Sequence, residues 1–76
     1  MDKDALARKY REIHKALCTE IDEQHFEPIQ NDPTNHVAWN NLYVMAVSYG
    51  CDKDYIALIN QCCHAATRLF IGDTVE

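Results

Sequence analysis

The chain has 76 residues, 47% of them apolar, and a formal net charge of −5 at neutral pH. That length predicts one domain, 1–76, with a core too rich for a disordered chain. An acidic balance argues against direct nucleic-acid binding, which needs clustered cations, and no apolar run approaches the ~18 residues of a membrane span.

The opening MDKDALARKY has no apolar signal core, so a cytoplasmic location is expected. Four cysteines, Cys18, Cys51, Cys62 and Cys63, are then expected reduced. Charge is unevenly spread. Lys3, Arg8, Lys9, Arg11 and Lys15 open the chain, and no Lys or Arg follows from Ala16 to Asp52. That gap holds Glu20, Asp22, Glu23, Glu27 and Asp32.

The pattern predicts an all-α, compact three-helix bundle, with helices at about 4–24, 34–49 and 53–71. Leu6, Tyr10, Ile13, Leu17 and Ile21 recur at helical spacing, with Asp2 or Asp4 able to cap. A connector at about 25–33 carries Pro28 and Pro33, which bias the residues before them away from helix. Phe26 and Ile29 are expected to pin it to the core.

The second helix begins near Pro33 or Asn35, with Asp32, Thr34 or Asn35 as its cap. Val37, Ala38, Trp39, Leu42, Tyr43, Val44, Met45, Ala46 and Val47 make it apolar on nearly all sides. Such a helix must be buried, so it is read as central, with the other two covering it and with a homodimer through the second or third helix. Trp39 is its anchor. Gly50 supplies a left-handed stop. The third helix is capped by Asp52 and stopped by Gly72.

Asp32, Pro33, Asn35, Ala38, Trp39, Leu42 and Gly50 resemble the first half of a tetratricopeptide repeat. Trp39 and the Leu three residues later match that pattern. Tyr43 and Ala46 stand where it has Gly and Tyr, and Tyr55 and Ile59 where it has Ala and Phe. The resemblance implies a helix-turn-helix hairpin.

Function is read as binding another protein, with no catalysis and no cofactor. Glu20, Asp22, Glu23, Glu27 and Asp32 form the candidate surface for a partner with a basic face. Glu20, Glu23 and Glu27 would share a face if the first helix continued, with no cation nearby to neutralise them. Size and charge resemble those of phage-encoded inhibitors of host machinery such as anti-CRISPR proteins, which implies an inhibitor or adaptor. The alternative is a zinc-stabilised regulatory domain using His14, Cys18, Cys62, Cys63 and His64, although no paired-ligand spacing is present. A thiol enzyme is the third option. Cys51, near a helix start, is the best-placed thiol for a lowered pKa.

Overall fold

The computed structural model describes residues 2–72. They form α1 (Lys3–Leu17), a 3-10 turn (Glu23–His25), α2 (Glu27–Asn31), α3 (His36–Ser48) and α4 (Lys53–Phe70). The all-α bundle is as the sequence predicts. A short fourth helix, lying inside the expected connector, is added to the three long ones.

Asp2 caps α1 by accepting from the Ala5 N–H at 2.9 Å. Leu6, Tyr10, Ile13 and Leu17 turn its apolar stripe inward. The expected extension to residue 24 is corrected, because the helix ends at Leu17. Ile21 still donates to the Leu17 carbonyl at 3.0 Å and is buried, so the stripe outlasts the helix by one turn. Asp22 then becomes extended. A longer helix would gather Glu20, Asp22 and Glu23 at its negative end. Breaking the chain here avoids that and puts Glu27 in the first turn of α2, where a carboxylate is favourable. Pro28 fits that first turn, whose N–H groups have no intrahelical acceptor. Phe26 and Ile29 are both fully buried, as expected.

Asp32 accepts from the N–H and hydroxyl of Thr34 at 3.1 and 2.7 Å and shapes the turn before α3. Asn35 caps α3 through the Ala38 N–H at 3.1 Å. The other end is a Schellman closure. Gly50, at φ +69°, donates to the Val47 carbonyl, and Cys51 donates to that of Ala46. Asp52 then caps α4 through the Asp54 N–H at 2.8 Å. α3 and α4 form an antiparallel hairpin, with the His36 ring at the start of α3 4.3 Å from the Phe70 ring at the end of α4.

The elements close a ring. α1 packs on α4, α4 on α3, α3 on the 3-10 turn and α2, and α2 on α1. α3 is therefore not covered by the two other long helices, and that expectation is corrected. The connector takes the side expected for α1, because Phe26 and Ile29 give it an apolar face of its own. Among the described residues α1 and α3 have no close backbone approach. Their side chains meet where Tyr10 stands edge-on to Trp39, centroids 6.5 Å apart. Trp39 is fully buried, and its indole N–H donates to the Pro33 carbonyl at 2.7 Å.

Candidate functional site

Glu20, Asp22, Glu23, Glu27 and Asp32 are all exposed, as a docking surface requires. They do not share a helix face. Glu20 lies in the turn after α1, Asp22 and Glu23 open the 3-10 turn, Glu27 starts α2 and Asp32 follows its end. Three of the five have partners. Glu20 stands beside the Cys51 thiol and raises its pKa. Glu23 meets His14 Nε2 at 2.8 Å. Asp32 holds Thr34, and those hydrogen bonds, helped by the charge of Lys3, lower its pKa. No cation lies in the surrounding segment, as the sequence shows, but Lys3 of α1 acts on Asp32 through space and the His14 ring meets Glu23. Among the described residues the side chains of Asp22 and Glu27 have no hydrogen-bond or ion-pair partner.

The zinc alternative fares differently. His14 is engaged by Glu23, and its ring also sits edge-on to Phe26 at 4.7 Å. Cys18 is exposed, Cys62 is fully buried and His64 is exposed on the same helix. Cys63 points its thiol at the His36 carbonyl, 3.9 Å away. The five residues are not brought together. Among the described residues no three His, Cys, Asp or Glu side chains group where they could hold an ion.

The expected activation of Cys51 is reversed. Burial and the adjacent Glu20 carboxylate both raise its pKa. The helix start was legible, but the carboxylate facing the thiol was not. Burial pushes Cys62 further, to about 11. A thiol reacts as its thiolate. Iodoacetamide at about pH 8 should therefore modify exposed Cys18 first and Cys62 last. Peptide mapping during the reaction checks this. Equal rates at the two positions would contradict the assigned burial.

A second surface lies on the Asn40–Asn41 side of α3, which the sequence offers only as the fallback should the acidic segment not bind. α3 leaves Val37, Val44 and Val47 about half exposed, at 55, 46 and 50%. Successive helical residues turn by about 100°, so these valines share one side with Asn40, Asn41 and Ser48. The side is uncharged. It borders the connector across a shallow groove lined by His25, Pro28, Val37 and Asn41 among others. The signal was present in those three polar residues, which recur on one arc of an otherwise apolar helix.

No described helix is long and apolar enough to cross a membrane. No protein-family model matches the chain, and no curated protein or solved structure matches it either.

Proposed function

We propose that this protein works by binding another protein, as an inhibitor or adaptor, through the exposed side of α3 and the acidic connector beside it. The observation that carries this reading is the uncharged valine face of α3 next to exposed carboxylates. Docking surfaces commonly pair an apolar centre with a polar rim. Val37, Val44 and Val47 supply the centre, and Asp22, Glu23 and Glu27 supply a negative rim. The complementary partner carries an apolar groove with a basic margin. Opposite charge at the rim speeds encounter and fixes orientation. The raised pKa of Cys51 favours this reading over thiol catalysis. Four free thiols suit a reducing, cytoplasmic setting.

Homodimerisation through α3 is the competing use of the same face. It would bring two acidic rims together, so a basic partner fits better. The test is capture from an extract of the native host by immobilised wild type, Val44→Asp and Asp22→Lys/Glu27→Lys, read by mass spectrometry. A protein retained by wild type and reduced about tenfold or more by both variants, a loss of ~1.4 kcal/mol or more, is the expected result. A protein held equally by wild type and both variants would place the docking face elsewhere.

A further inference from the structure

Arg8, Arg11 and Lys15 stand three and four residues apart along α1, and all three are exposed. Leu6, Tyr10, Ile13 and Leu17 occupy the buried side of the same helix. At about 100° per residue the three cations fall on the side facing away from the core, where they outnumber the two exposed carboxylates of Asp4 and Glu12. Among the described residues no carboxylate lies within ion-pair distance of any of them. Asp22 and Glu27 are in the same condition with opposite sign. The two patches adjoin, because His14 of α1 touches Glu23 at 2.8 Å. They do not cancel within one chain, since α1 turns its cations outward while the connector packs against its flank.

We propose that this basic row of α1 docks on the acidic connector of a second copy of the chain, giving a two-fold dimer. Charge complementarity selects the occupant: the chain carries both halves of the contact, each without an ion-pair partner among the described residues. Adjacency selects the symmetry. A two-fold axis between neighbouring patches lays each row over the other copy's acids, so both contacts form in one closed pair. The net charge of −5 opposes association, which makes the dimer weak and strongly dependent on salt. The inference rests on reading the acidic connector as a docking surface, and it adds a regulation of that surface. The acids that rim the α3 face are covered in the dimer, so self-association and partner binding compete.

Sedimentation equilibrium of the full chain tests this at ~0.01 M salt, where charges act over about 30 Å, and at ~1 M, where they act over about 3 Å. Wild type is expected to move from one chain toward two as concentration rises in low salt, and to return to one chain in high salt. Arg8→Glu/Arg11→Glu and Asp22→Lys/Glu27→Lys should each remain monomeric alone. Mixed in equal amounts they should pair again, at least about tenfold more tightly than either pairs with itself. Circular dichroism checks their folding, and Arg8→Gln/Arg11→Gln replaces the first variant if reversal unfolds it. Wild type that stays monomeric in low salt, a dimer indifferent to salt, or a variant that dimerises alone like wild type would each overturn the proposal. The partner test shares the connector variant but adds Val44→Asp, a substitution outside both charged patches, so loss of capture in Val44→Asp separates a failed partner reading from a failed dimer.

Discussion

Replacing Trp39 by alanine is expected to remove ~3–5 kcal/mol of stability, the range for truncating a buried aromatic side chain. A chain of this length has roughly 4–11 kcal/mol in total at typical values per residue, so the variant should be near unfolding at room temperature. The large effect has two physical sources. The indole is fully buried where the ring of helices closes, and Tyr10 of α1 meets α3 through it. Its N–H also satisfies the Pro33 carbonyl, and losing that bond adds about 1 kcal/mol to the cavity cost. Urea denaturation followed by far-ultraviolet circular dichroism measures the change. A cooperative transition at the wild-type midpoint would show that Trp39 is not the anchor.

Phe26→Ala should cost nearly as much, ~3–5 kcal/mol, although Phe26 lies in a segment that reads as a loop. Its ring is fully buried, edge-on to His14 at 4.7 Å and inclined to Tyr10 at 6.2 Å. The connector is one wall of the core, and Phe26 is the largest side chain that wall contributes. Glu27→Ala, one residue away and exposed, is the control and should lie within about 0.5 kcal/mol of wild type. Denaturation midpoints of the two variants decide the matter. Similar small shifts in both would reduce the connector to a covering strap.

Local signals were the legible part of the fold. Asp2, Asn35 and Asp52 are candidate caps in the sequence and caps in the structure. Gly50 and Gly72 adopt the positive φ their positions suggest. These assignments depend on residues within one turn of each other, which a sequence displays directly. The errors involve partners distant along the chain. Ile21 extended an apolar stripe that burial continues but helical geometry does not. Pro28 looked like a breaker, yet it occupies the first turn of α2, the one stretch of a helix that accepts it. The charge gap after Lys15 suggested bare carboxylates, whereas Lys3 and His14 reach back to Asp32 and Glu23. Cys51 looked activated by its helix, but burial first and then the Glu20 carboxylate raise its pKa instead. The exposed face of α3 was hidden because its valines count as apolar wherever they point.

The closing of the ring has a kinetic meaning. α3 and α4 are consecutive and joined by a tight turn, so their pairing needs little loop closure and can form early. α1 reaches α4 only after the whole intervening chain has been arranged, which makes its docking the non-local, slower step. The same asymmetry orders the fluctuations of the folded molecule. Opening that begins with α1 lifts Tyr10 from Trp39 and uncovers the core while the α3–α4 hairpin persists, a partial unfolding of the sort that precedes the global one. A contact that holds the basic helix against α4 therefore acts as a brake on this route of unfolding.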